Sequence, residues 1–157
     1  MKITSFVYSA LIGIVASCRS MTPMAAIAAA RIKKRDTPGR LLLLDRPLFK
    51  FGALAMGIGE LFGDKMKSAP DRTVFLGMSA RVASAGIAGA ALAPSGKEKT
   101  GAAIAISTAV PLAYATLAAR KKAVSGIGQT RSGLVEDTLI VALGAAVVFL
   151  ATRPTRR

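Results

Sequence analysis

Long apolar runs, each interrupted or bordered by isolated charges, constrain this chain more than any other feature. Residues 6–32, 47–63, 74–93, 100–119 and 133–152 are predominantly apolar. About 20 such residues suffice to cross the hydrocarbon of a bilayer. Within hydrocarbon every backbone polar group must be bonded internally, so runs of this kind read as helices. The chain has no Trp, few aromatics and an abundance of Ala and Gly. Small residues let helices approach closely in lipid, whereas a soluble core of this size leans on larger side chains. The expectation is an all-α, polytopic membrane helix bundle of about five hydrophobic segments, forming one domain over residues 1–157.

Charge placement supports the same class. The formal net charge of +14 invites a nucleic-acid reading. The basic residues, however, fall between the apolar runs, in 31–46, 65–72, 120–131 and the tail 153–157. That is the distribution of membrane loops near anionic headgroups, so the expected partner is the lipid bilayer and not nucleic acid. There is no His, and Cys18 is the single cysteine. An intramolecular disulfide, a His-based triad and a Cys–His pair are thereby excluded, and neither a metal site nor a cofactor is expected.

The first segment resembles a signal sequence, with Lys2 followed by the apolar run Phe6 to Ala16. Val15-Ala16-Ser17-Cys18 also resembles a lipoprotein cleavage box. The chain beyond it is another apolar run, Met21 to Ile32, where a lipoprotein would carry a polar tether. The expected form is therefore an uncleaved segment, broken near Ser17–Ser20 and restarted with Pro23 in the first turn of a new half-helix. The second segment contains Gly59 and Gly63 in a GxxxG spacing, which reads as helix packing. Asp71 is placed to cap the third segment and Pro111 to kink the fourth.

A faint repeat aligns Ser17-Cys18-Arg19-Ser20-Met21-Thr22 with Ser79-Ala80-Arg81-Val82-Ala83-Ser84. It divides the chain into halves 1–65 and 66–152, with the first and third segments broken or re-entrant, a plan used by membrane transporters. Ser17, Thr22, Ser79 and Ser84 would then cap backbone exposed at the breaks. Loop charge does not settle topology. Five spanning segments, or re-entrant first and third segments, leave a similar bias of Lys and Arg.

The ionisable residues within or bordering apolar runs are Arg19, Glu60, Asp64, Arg81, Glu136 and Asp137. A charge at the bilayer centre costs roughly 2.5–3.5 kcal/mol on insertion scales, so each must face a partner or water. Glu60 and Asp64 share one helix face by their spacing. Lys65 and Arg72 fit the headgroup level. One reading gathers these charges around a polar cavity at the helix breaks, where a small polar or anionic solute or ion is translocated. The other makes them buried ion pairs that only fix helix packing in a structural or interaction protein. An enzyme acting through Glu60, Asp64 or Glu136 lacks any accompanying nucleophile or metal pattern and is not expected.

Four stretches carry a family resemblance: Ser17-x-Arg19-x-x-x-Pro23, Gly59-Glu60-x-x-x-Asp64-Lys65-x-x-x-x-Pro70-x-Arg72, Arg81-x-x-Ser84-x-x-x-Ala88-Gly89-Ala90-Ala91 and Val135-Glu136-Asp137. Together they resemble the small multi-pass membrane family catalogued as domain of unknown function 4126. The resemblance covers nearly the whole chain, with Cys18 a departure where a small residue, often Gly, is expected. It implies a membrane protein and no particular activity. The expected compartment is the inner (plasma) membrane, and the small-residue faces suit a homodimer.

Overall fold

The structure, a computed structural model, describes residues 2–63, 75–127 and 129–154. Over these it is built from helices: α1 (Lys2–Cys18), α2 (Thr22–Ile32), α3 (Pro47–Gly63), α4 (Phe75–Leu92), α5 (Glu98–Ile127) and α6 (Gln129–Ala151). The all-helical expectation meets one small exception. Strand β1 (Arg35–Asp36) pairs antiparallel with β2 (Arg153–Pro154), tying the first connector to the tail.

Helix α1 is the centre of the bundle and packs on α4, α5, α6 and α2. It runs parallel to α5: a Cβ on Gly13 would stand 2.5 Å from the Ala105 carbonyl, and further along the Thr116 hydroxyl lies 3.4 Å from the Ser17 carbonyl. It runs antiparallel to α4, with Ser9 Oγ donating to the Gly89 carbonyl at 3.0 Å near one end and Arg81 reaching Ser17 near the other. The chain then turns back. Val15 of α1 and Thr22 of α2 both flank Gly144 of α6. From there α2 runs alongside α6 until Arg35 meets the carbonyls of Phe149 and Thr152. The first apolar segment is thus a V-shaped helical hairpin that enters and leaves at one end of the molecule. Its arms of 17 and 11 residues are roughly 25 and 16 Å long at 1.5 Å per residue.

Pro23 explains where the hairpin turns. Had α1 continued, Pro23 would have lacked the N–H for the Arg19 carbonyl and its ring would have struck that carbonyl. Arg19 N still bonds the Val15 carbonyl at 3.0 Å, and Ala25 N opens the new helix on the Met21 carbonyl at 3.0 Å. Between them the helical ladder is interrupted.

The small-residue tract of α4 does what its composition suggests. Gly89 and Gly101 let α4 and α5 touch through their backbones; a Cβ on Gly89 would sit 2.5 Å from the Gly101 carbonyl. Gly39 tucks over the end of α4, donating to the Ala91 carbonyl at 2.9 Å, where a Cβ would meet the Ala90 carbonyl at 2.2 Å. Around these contacts lies a core of Ile12, Val15, Ile27, Leu44, Leu92 and Val148.

Several expectations are corrected. The third segment is not broken: α4 passes through Arg81 without interruption, because no proline follows it as Pro23 follows Arg19. The two halves therefore lack matching breaks among the described residues. The stretch 120–132, expected as a loop, is mostly helix, since α5 extends through Pro111 to Ile127 and α6 begins at Gln129. Among the described residues nothing lies within 4 Å of a Cβ built on Gly59, whereas one on Gly57 meets Ala25 of α2; the surroundings of Gly63 lie outside the described residues.

Two helices, Phe75–Leu92 and Glu98–Ala118, are long and apolar enough to cross a membrane. Large apolar side chains stand on the outer surface, among them Leu48, Phe51, Phe75, Leu76, Phe149 and Leu150.

Candidate functional site at the hairpin tip

The tip of the α1–α2 hairpin, Arg19-Ser20-Met21, lies level with the middle of α4 and α5, the third turn of α6 and the last turn of α3. A broken helix leaves two sets of orphan groups, the carbonyls ending α1 and the N–H groups opening α2. Neither set is capped from within its own helix; α2 has no side-chain cap of its own.

Glu60, from the last turn of α3, supplies the acceptors. One carboxylate oxygen accepts from Ser20 N at 2.7 Å and from Ser20 Oγ at 2.6 Å, and the other accepts from Met21 N at 2.9 Å. These are the N–H groups that would have bonded Ala16 and Ser17 had α1 continued. A carboxylate at a helix N-terminus is doubly favoured, by charge-assisted hydrogen bonds and by the dipole of α2.

Arg81 supplies the complementary donor. Its Nε donates to the Ser17 carbonyl at 3.2 Å, and the Thr116 hydroxyl approaches the same oxygen. A cation at a helix C-terminus again opposes the dipole with the right sign. Arg81 is buried in the middle of α4, at 2% exposure, and so could not reside there without such a partner.

Arg19 joins the remaining elements. It is 1% exposed. Its Nη1 donates to the Glu60 main-chain carbonyl at 3.1 Å, one of the last four carbonyls of α3. Its Nη2 pairs with Asp137 Oδ1 of α6, itself buried. One guanidinium thereby links the hairpin tip, the end of α3 and the third turn of α6. Glu60 acts twice, through its carboxylate on α2 and its backbone toward Arg19.

The structure thus brings together Arg19, Glu60, Arg81, Asp137 and Ser17 of the residues singled out in the sequence. Ser17 takes part through its carbonyl, while its hydroxyl bonds back to Ile14 at 2.7 Å. Thr22 is buried against α6 and Ser84 is buried in α4, where its hydroxyl finds no hydrogen-bond partner among the described residues. Ser79 is a correction: it is exposed and bonds the Phe75 carbonyl at 2.8 Å, because α4 has no break there for it to cap. Asp64, Lys65, Asp71 and Arg72 lie outside the described residues, as does the side chain of Glu136. Cys18 is buried beside Ser17. Cleavage ahead of it would remove α1 and with it the centre of the bundle.

Sequence reasoning missed Ser20 and Thr116. Ser20 carried a signal, being a hydroxyl residue immediately before the restarted helix and one residue from Arg19. Thr116 carried none, since its position against Ser17 depends on how α5 crosses α1. Among the described residues no three His, Cys, Asp or Glu side chains converge in a way that could hold a metal ion.

Comparison with family models, with curated proteins and with solved structures finds no match for the chain.

Proposed function

We propose that the protein is an integral protein of the inner (plasma) membrane and that the hairpin tip is the seat of a small anionic or polar solute in transit. Its outward-facing leucines and phenylalanines and its two span-length apolar helices support the membrane placement. The Glu60 carboxylate supports the solute seat. It is held by two backbone N–H groups and a hydroxyl at the start of α2, beside Arg19. Those donors select negative charge and oxygen geometry rather than glutamate as such.

The seat belongs to α2, but its occupant belongs to α3, which packs chiefly on α2 and on the turn that precedes it. A shift of α3 by a few ångströms, roughly the length of two hydrogen bonds, exposes the same donors to an external anion. Arg81 and Asp137 hold the turn while this exchange occurs. No bond of the solute is made or broken, so the role is that of a transporter or channel-like protein and not an enzyme.

A second reading rests on the balance of the same charges. Arg19 is matched by Asp137, the end of α1 by Arg81 and the start of α2 by Glu60. On that reading the network only pins the hairpin in a structural membrane protein.

Reconstitution into liposomes separates the two. Transit of solute predicts efflux of a loaded small anion, such as chloride, nitrate or phosphate, above that of protein-free vesicles, and loss of that efflux in Arg19→Ala. A folded, inserted wild-type protein that passes none of these leaves the structural reading standing.

A further inference from the structure

The end of the molecule opposite the hairpin tip carries a second feature, independent of the tip. Between α2 and α3 the chain passes through β1 and a 3-10 turn, Leu42–Asp45. Leu44 of this turn is fully buried, while Leu42 is 87% exposed and Leu48, just beyond it, is 85% exposed. Exposed cations flank these leucines along the chain: Lys33, Lys34, Arg40 and Arg46.

The acids of the segment do not oppose them. Asp36 and Asp45 both turn to one residue, Arg31, at 2.9 and 3.4 Å. Arg35 is occupied with the end of α6, where it bonds Phe149 and Thr152 and lies over the Phe149 ring. The result is a strip of bare leucines among exposed positive charges, of which Arg40 has the Glu98 carboxylate near it and Lys33, Lys34 and Arg46 make no ion pair among the described residues.

The fold adds to this strip the other basic ends. Arg40 N bonds Glu98 at the start of α5, and β2 brings Arg153 beside β1. Because α1 and α2 form a hairpin while α4, α5 and α6 each run once along the bundle, the start of α1, the 33–46 connector, the 94–97 turn and β2 share this end. Among the described residues this end gathers Lys33, Lys34, Arg35, Arg40, Arg46, Lys97 and Arg153, and cytoplasmic faces are where Lys and Arg accumulate.

We infer that residues 33–48 form an interfacial anchor that docks on the anionic leaflet of the membrane, Leu42 and Leu48 entering among the acyl chains while Lys33, Lys34, Arg40 and Arg46 meet lipid phosphates. Apolar side chains flanked by cations are complementary to an anionic phospholipid surface, which offers hydrocarbon beneath negative charge. An acidic protein would satisfy the cations and leave the leucines in water.

Native mass spectrometry of the full-length protein, equilibrated with equimolar phosphatidylglycerol and phosphatidylcholine, tests this. Wild type is expected to retain phosphatidylglycerol preferentially. The quadruple variant Lys33→Gln/Lys34→Gln/Arg40→Gln/Arg46→Gln, checked for unchanged helicity, is expected to lose that preference at least roughly tenfold. A variant with as many charges removed at the other end, Arg120→Gln/Lys121→Gln/Lys122→Gln/Arg131→Gln, is expected to keep it. Equal retention of the two lipids by wild type, or equal losses in the two variants, overturns the inference. Leu42→Ser/Leu48→Ser supplies a second check that leaves every charge in place, with lipid retention expected to fall; unchanged retention would overturn the insertion of the leucines.

Discussion

Arg81 Nε donates to the carbonyl of Ser17 at 3.2 Å, so a side chain in the middle of α4 terminates α1 from outside. Glu60 does the converse for α2. The turn between the two helices is thus held by neighbours and not by its own residues, and the energetics of the hairpin should be felt at those distant positions.

Glu60→Ala removes the acceptor from Ser20 and Met21 at once. Part-buried donors left unbonded cost about 1–3 kcal/mol each, and loss of an N-cap about 1 kcal/mol. Stability in detergent, followed by denaturant titration of the helical signal, is expected to fall by roughly 2–4 kcal/mol. Glu60→Gln keeps an acceptor oxygen and should lose less than Glu60→Ala.

Arg19 and Asp137 form a buried pair, and removing one member strands the other. Arg19→Met and Asp137→Leu are each expected to destabilise by roughly 3–5 kcal/mol. The double variant should lose clearly less than the sum, because no uncompensated charge then remains buried. Strict additivity in the cycle would refute the pairing.

Arg81→Lys keeps the charge and gives up the planar fork. The ammonium is a point donor on a flexible stem, so the Ser17 carbonyl should be less well held, by about 1–2 kcal/mol. Arg81→Met should cost more, since it leaves that carbonyl with only the long contact to Thr116. Thermal unfolding of the three proteins side by side gives the order.

The glycines divide into two groups. Gly89→Val places a side chain against the Gly101 backbone, where a Cβ alone would come within 2.5 Å. It is expected to abolish folded, monodisperse protein in size-exclusion chromatography. Gly52→Ala and Gly59→Ala meet nothing within 4 Å among the described residues and should be neutral or stabilising by about 0.5–1 kcal/mol.

Much of the tip was legible in the sequence. Arg19, Arg81, Glu60 and Asp137 announce themselves because a charge among apolar residues needs a partner. Pro23 announces the break, because its ring and missing N–H forbid the preceding turn. What the residues do not disclose is direction. The same break permits a hairpin or a continued path, and only the packing of Val15 and Thr22 on Gly144 decides it. The likeness of the Arg19 and Arg81 stretches suggested two breaks. Local similarity hid the decisive difference, Pro23 four residues after Arg19 where Ala85 stands four residues after Arg81. The spacing of Gly59 and Gly63 is limited for a related reason: it defines a helix face but not the neighbour that meets it, and among the described residues none meets Gly59. The connector between β1 and α3 resisted reading because its conformation depends on Gly39 docking over α4.

Whether the donors at the start of α2 serve Glu60 alone or a solute is tested most directly by anion binding in Glu60→Gln. Thermal stabilisation of the purified protein by chloride, nitrate or phosphate gives the apparent affinity, since a ligand of the folded state raises stability in proportion to RT ln(1 + [L]/Kd). If solute and carboxylate compete for one seat, removing the negative charge of Glu60 lowers the half-saturating anion concentration relative to wild type, and Arg19→Ala added to it reverses the gain. If Glu60→Gln binds these anions no more tightly than wild type, the seat serves the hairpin only and the transit reading is contradicted.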